Sequence, residues 1–185
     1  HSQALERDPA FVSAYIDRGN AYYLLDQLED ALADYSQAIE LDPENAVAFK
    51  NRGNVYSAQG EYAKALADHD EAIRLDPTFI DAYISRGNVF YDLGDYTQAI
   101  TAYSEALAQD PTLTEAYDGR GDAYYELGNF ADALANYDEA LALAPDDDAL
   151  YVNRGNTYYR LNQDDPALAD YDKAIELNPA NASAW

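Results

Sequence analysis

The chain has 185 residues, 48% of them hydrophobic, which is enough to bury a core. Thirty-five acidic against eleven basic residues give a net charge of -24, which repels nucleic-acid phosphates and anionic membrane surfaces and leaves neutral or basic partners. There is no cysteine, so disulfides, thiol nucleophiles and thiolate metal sites are excluded.

Most of the acids are aspartate, and the only lysines are Lys50, Lys64 and Lys173, a balance also expected of a salt-adapted protein. No apolar run is long enough to span a membrane, and the chain opens on no basic-then-apolar stretch of signal-peptide type. The compartment is not identified, with the cytoplasm favoured.

Residues 15 to 23, YIDRGNAYY, set the pattern for everything that follows. From Tyr15, Gly19 and Tyr22 fall at i+4 and i+7, which predicts a helix A over about residues 12 to 25. From Ala31, the residues Tyr35, Ala38 and Ile39 recur at i+4, i+7 and i+8, which predicts an amphipathic helix B ending before Pro43. Asp26 lies between the two, and Gly60, Gly94, Gly128 and Asn162 hold the same place later in the chain. These residue types tolerate the left-handed conformation that ends a helix, so each pair should be antiparallel.

The pattern then returns every 34 residues as FKNRGNVYS, YISRGNVFY, YDGRGDAYY and YVNRGNTYY. Pro9, Pro43, Pro77, Pro111, Pro145 and Pro179 keep the same period, with Pro166 alone outside the series. The glycine column of Gly19, Gly53, Gly87, Gly121 and Gly155 never varies, nor do the alanine columns of Ala31 and Ala38. Glycine inside a helix costs about 0.8 to 1 kcal/mol relative to alanine, so five in one column imply close helix packing in return.

A 34-residue helix-turn-helix period resembles the tetratricopeptide repeat family. The columns that carry the resemblance are a large aromatic (Tyr15, Phe49, Tyr83, Tyr117, Tyr151, Trp185), the glycine, a second aromatic, two alanines and a closing proline. The resemblance implies an all-α solenoid, a right-handed superhelix of antiparallel helix pairs, with the chain as a single array over 1–185. Five full repeats run 12–45, 46–79, 80–113, 114–147 and 148–181. Residues 1–11 read as the end of a preceding repeat, with Ala4 in the Ala38 column, and 182–185 as the start of a further one. Solenoid ends normally carry a polar cap, and neither end here does, so end-to-end self-association is expected.

Arg18, Arg52, Arg86, Arg120 and Arg154 lie among the aromatics of helix A. The expected solution is a packed stem and a guanidinium paired with a helix B carboxylate sixteen residues on, Asp34, Asp68 or Asp170. Ala102 and Asn136 hold that column in repeats three and four, so Arg86 and Arg120 are expected to find another acid, a backbone carbonyl or a tyrosine face. An arginine ladder for anionic ligands is the rival, disfavoured by the apolar face and acidic surroundings.

In the resembled family, the opposite side of helix A lines a concave groove that holds extended peptides. Mapped onto this chain, the groove offers Asn20, Asn54, Asn88 and Asn156, interrupted by Asp122. One turn earlier stand Asp17, Asn51, Ser85, Gly119 and Asn153, and beyond lie Tyr23, Tyr91, Tyr125 and Tyr159, interrupted by Ser57. Asparagine offers a donor and an acceptor to a peptide backbone of any sequence, and tyrosine adds flat contact area at low entropy cost.

Asp17, Asp81, Asp92, Glu115, Asp118, Asp122 and Glu126 point to that groove against Lys50 and Arg160, so a lysine or arginine of the peptide belongs near the end of repeat three and in repeat four. Lys50 and Asn54 match the start of the family's carboxylate grip, but Ser85, Glu115 and Gly119 stand where its other members belong. The asparagine ladder is also similar to that of O-linked N-acetylglucosamine transferases, with only Asn51 and Asn153 in the matching column.

No catalytic centre is legible: His69 sits in the Tyr35 column as a core residue, and nothing assembles a nucleophile with its base. PDDDAL at 145 to 150 lacks the glycine and distal glutamate of a calcium loop and reads as a helix cap. No cofactor or metal is expected. The sequence therefore points to a non-catalytic protein–protein interaction scaffold that takes a neutral or basic extended peptide. The alternatives are a regulatory or targeting segment of a larger enzyme, or a structural assembler working through its ends.

Overall fold

The 34-residue pattern folds as helices of 13 and 14 residues in strict alternation. In the computed structural model, residues 11–179 are described. The predictions for residues 1–9 and 182–185, and the end-to-end association built on them, lie outside the described residues.

Ten helices are present among the described residues, and no strand. In chain order they are α1 Val12–Leu24, α2 Leu28–Leu41, α3 Ala46–Ala58, α4 Tyr62–Leu75, α5 Ile80–Asp92, α6 Tyr96–Gln109, α7 Thr114–Glu126, α8 Phe130–Leu143, α9 Asp148–Arg160 and α10 Asp164–Leu177. Odd-numbered helices are the A helices and even-numbered ones the B helices.

Each A helix ends in the left-handed residue the sequence predicts, with φ of 58° at Asp26, 74° at Gly60, 76° at Gly94 and Gly128, and 57° at Asn162. The next amide then reaches back to the last turn, as Glu61 N–H does to the Tyr56 carbonyl at 2.8 Å and Gln163 N–H to that of Tyr158 at 3.0 Å. This double reversal satisfies the open carbonyls and turns the chain at once into the B helix. The B helices stop two residues before proline, and Asp76 and Asp110 close the turn by accepting from the Thr78 and Thr112 amides at 2.9 and 2.8 Å. Asp147 caps α9 by accepting from Ala149 N–H at 3.0 Å, the capping role read from PDDDAL.

The chain divides into two compact units, His1–Val89 and Phe90–Trp185. In the first unit α1 packs on α2, α3 on α4, and α2 on α3; in the second α7 packs on α8, α9 on α10, α6 on α7, and α8 on α9. The alanine columns are the seams: Ala31, Ala38, Ala65, Ala72, Ala133, Ala140 and Ala174 are each fully buried.

The glycine column is where an A helix touches its B partner. A Cβ built on Gly19 would come within 2.7 Å of the Tyr35 ring, on Gly121 within 2.8 Å of Tyr137, on Gly155 within 2.8 Å of Tyr171, and on Gly53 within 2.7 Å of His69. No side chain fits there without moving an aromatic ring, which answers the cost of keeping glycine in the helix.

Candidate functional site

The arginines of the A helices pack as expected and are paired on two sides. Arg18, Arg52 and Arg154 each present Nε and Nη2 to a buried aspartate, Asp34, Asp68 and Asp170, at 2.6 to 2.8 Å. Each guanidinium also lies over the aromatic that opens its helix, at 5.6 Å for Tyr15, 5.5 Å for Phe49 and 5.6 Å for Tyr151. The aspartate bonds hold the Arg18, Arg52 and Arg154 guanidiniums even further above neutrality than usual, against the opposing effect of burial.

Repeats three and four solve the missing carboxylate differently. Arg86 reaches Asp70 of the preceding B helix at 2.9 Å and lies 5.4 Å from the centre of the Tyr83 ring. Arg120 covers Tyr117 at 5.5 Å, but its Nε still donates to column residue Asn136, whose Oδ1 accepts at 2.7 Å. The expected tyrosine face is thus present, and an amide oxygen takes the place of the missing carboxylate.

A second partner precedes the arginine by sixteen residues, which sequence reasoning did not find. It is Ser36 for Arg52, Asp70 for Arg86, Ser104 for Arg120 and Asp138 for Arg154. Each of these arginines therefore ties its own helix A to the B helix of the repeat before it.

On the opposite side of the A helices, the predicted site residues form short hydrogen-bonded sets. In the first unit the Tyr35 hydroxyl donates to Asn20 Oδ1 at 2.7 Å, and Asn51 Nδ2 donates to the same oxygen at 2.9 Å. In the second unit the Tyr137 hydroxyl donates to Asp122 at 2.6 Å, and Asn153 Nδ2 donates to Asp118 at 3.1 Å and Asp122 at 3.5 Å. The Tyr171 hydroxyl donates to Asn156 at 2.9 Å. The acceptors of Asn20 and Asn156 are thus engaged within the fold, while both residues remain exposed.

The signal for these bonds is a fifteen-residue spacing that recurs in the sequence. Repeat two breaks it, because His69 stands in the tyrosine column. His69 is fully buried, and neither ring nitrogen has a hydrogen-bond partner among the described residues. Burial, reinforced by the Lys50 and Arg86 charges, pushes its pKa down to about 4, so it is a neutral core residue. Asn54 consequently carries no bond from a helix B side chain.

The remaining predicted residues are placed as follows. Asn88, Asp17, Asp81, Asp92 and Glu115 are exposed, as are Tyr23 and Tyr159 at 38% and 65%. Tyr91, Asp122, Tyr125, Glu126, Asn153 and Asn156 come together with Tyr137 around a pocket of about 210 Å³ in the second unit. Desolvation, with the Asp118 and Glu126 charges, raises the Asp122 carboxyl to about 6 despite the Tyr137 bond that opposes the shift. Asp118 is raised for the same first reason, partly offset by Asn153. Arg160 lies over Tyr125 at 5.4 Å and Phe130 at 5.0 Å, and its Nη1 donates to the Tyr125 hydroxyl at 3.3 Å.

Known proteins share this architecture. A family model for the TPR repeat matches residues 19–60, 53–94, 87–128 and 121–162, and one for the tetratricopeptide repeat matches 149–181. The chain belongs to the tetratricopeptide repeat family. Its repeats are accordingly protein–protein interaction scaffolds, of a family and fold that are generally non-catalytic.

Among solved structures, YrrB, a TPR protein with an unusual peptide-binding site, is 28% identical with a TM-score of 0.77, over 99% of this chain and 94% of its own. PilF of Pseudomonas aeruginosa is 22% identical with a TM-score of 0.85, over 97% of this chain and 81% of its own. A MamA structure is 23% identical with a TM-score of 0.80, over 89% of this chain and 96% of its own. At these last two identities the likeness is one of fold. No curated protein matches the chain.

Proposed function

We propose that this tetratricopeptide array binds an extended peptide segment, neutral or basic, along the faces of the A helices that carry Asn20, Asn51, Asn54, Asn88, Asn153 and Asn156. The observation that carries this reading is the hydrogen bonding of Asn20 and Asn156. Each accepts from a tyrosine hydroxyl of the B helix and stays exposed, with its amide donor not used in that bond. Side chains fixed in this way lose little freedom when they donate to the carbonyls of a peptide, whatever its side chains.

The net charge of -24 and the exposed carboxylates of Asp17, Asp81, Asp92, Glu115 and Glu126 favour a basic segment. The likeness to YrrB, a TPR protein with an unusual peptide-binding site, supports peptide binding as such.

Asn54→Ala is the clean test, because among the described residues no hydrogen bond depends on that side chain. Against a library of unstructured lysine-containing peptides, the variant should keep the wild-type melting temperature and bind about tenfold more weakly across all sequences. Unchanged affinity throughout the library would count against the reading.

A further inference from the structure

The pocket of about 210 Å³ in the second unit is smaller than the roughly 300 to 1,000 Å³ of sites for whole small molecules, and is of a size for one side chain. Its walls are built in advance. Tyr91 is held edge-on against Tyr96 with ring centres 5.3 Å apart, and Tyr125 edge-on against Phe130 at 5.5 Å. Neither ring has to be ordered when the pocket fills.

Its chemistry is anionic and aromatic. Asp122 stands where the other four repeats hold Asn20, Asn54, Asn88 and Asn156, so this is the one charged position of that column. Its carboxylate is half-buried and lines the pocket together with Glu126. A carboxylate partly withdrawn from water and paired only by neutral donors, the Tyr137 hydroxyl and Asn153 amide, gains most from a cation. The tyrosine walls suit a cation as well, and Arg160 already rests on Tyr125 and Phe130 in that manner.

We propose that this pocket accepts one basic side chain, lysine or arginine, of the bound peptide. The assignment rests on the peptide-binding reading above and adds to it the place where the peptide's charge is read.

The test is amide-resolved NMR of the full chain, titrated with the N-acetyl, N-methylamide derivatives of lysine and arginine and of their uncharged counterparts norleucine and citrulline. A cationic derivative should give saturable shifts at Asp122, Tyr125 and Asn156 and bind about tenfold or more tighter than its neutral counterpart. The Asp122→Asn, Glu126→Gln variant should abolish that preference. It keeps an acceptor for the Tyr137 hydroxyl, as Asn20 and Asn156 do for Tyr35 and Tyr171, so its fold is preserved.

Equal shifts from charged and neutral derivatives, equal affinity at Asp17 and Asp81, or a variant that keeps the preference would each overturn the proposal. If that happens while library binding still depends on Asn54, the pocket assignment alone falls. If the lysine preference survives while Asn54→Ala binds normally, the backbone reading alone falls.

Discussion

The Tyr137 hydroxyl on α8 donates to the Asp122 carboxylate on α7 at 2.6 Å, joining a ring that is almost wholly buried to the face of the A helices that carries the candidate site. The same link recurs as Tyr35 to Asn20 and Tyr171 to Asn156, so the packing of each hairpin also sets the direction of a surface side chain. Of these three acceptors only Asp122 is charged.

That charge predicts a pH dependence. The folded-state pKa of Asp122, raised from 3.8 to about 6, favours folding in full below pH 3.8, and this contribution is lost as pH rises to about 6. Asp122→Asn should therefore melt higher than wild type above pH 6, by at most about 3 kcal/mol of stability, and the difference should vanish below pH 4. Thermal melts of both proteins at pH 4 and 7.5 decide it.

His69 titrates with the opposite sign. Its folded pKa is lowered from 6.5 to about 4, so the unfolded chain binds the extra proton and stability declines as pH falls from 6.5 towards 4. His69→Tyr restores the column residue and offers Asn54 a hydroxyl. The variant should gain about 1 kcal/mol at neutral pH and lose less stability than wild type between pH 6.5 and 4, as read by denaturant unfolding.

The glycines divide into two kinds with different tolerances. Gly53→Leu drives a side chain into His69 and toward the Ala65 carbonyl, 3.2 Å from an ideal Cβ, and should cost roughly 1 to 3 kcal/mol or more. Gly60 has open space around it and only its φ of 74° to satisfy, so Gly60→Asn should be nearly neutral, as Asn162 at 57° already is. Equal melting temperatures for wild type and Gly53→Leu would refute the close-packing explanation.

The arginines predict a contrast in stability. Arg154→Ala strands Asp170, whose side chain is only 7% exposed, and should cost about 3 kcal/mol. Arg74→Ala breaks the surface pair with Glu71 and should leave stability nearly unchanged, because exposed ion pairs are screened by solvent. Urea unfolding of the two variants measures the difference directly.

Much of this architecture is legible in the sequence because each repeat states it again. The Pro43 and Gly60 columns bound the helices, and the sixteen-residue step from Arg18 to Asp34 names an ion pair from spacing alone. The partners sixteen residues earlier, Ser36 and Asp138, are not legible, because they depend on how one hairpin sits against the next. Periodicity within a repeat carries no information about that stagger.

Asn136 is missed as a partner for Arg120 when charge is made the criterion, although an amide oxygen accepts as well. Tyr35 illustrates the limit for the site itself. Its spacing assigns the ring to the core but is silent on where the hydroxyl ends, and that end decides which half of Asn20 faces a ligand. The pocket around Asp122 is hidden for the same reason, since its residues come from α5, α7, α8 and α9.

The faces of the A helices are proposed to hold an extended peptide, neutral or basic. A crystal structure of the chain with an unstructured lysine-containing peptide selected from the library tests it most directly. The expected result is an extended backbone accepting hydrogen bonds from the amides of Asn20 and Asn54 in the first unit or of Asn156 in the second, and, where the second unit is occupied, a lysine side chain between Tyr91 and Tyr125. A peptide bound along the B helices, or bound helically with none of those asparagines in contact, would contradict it.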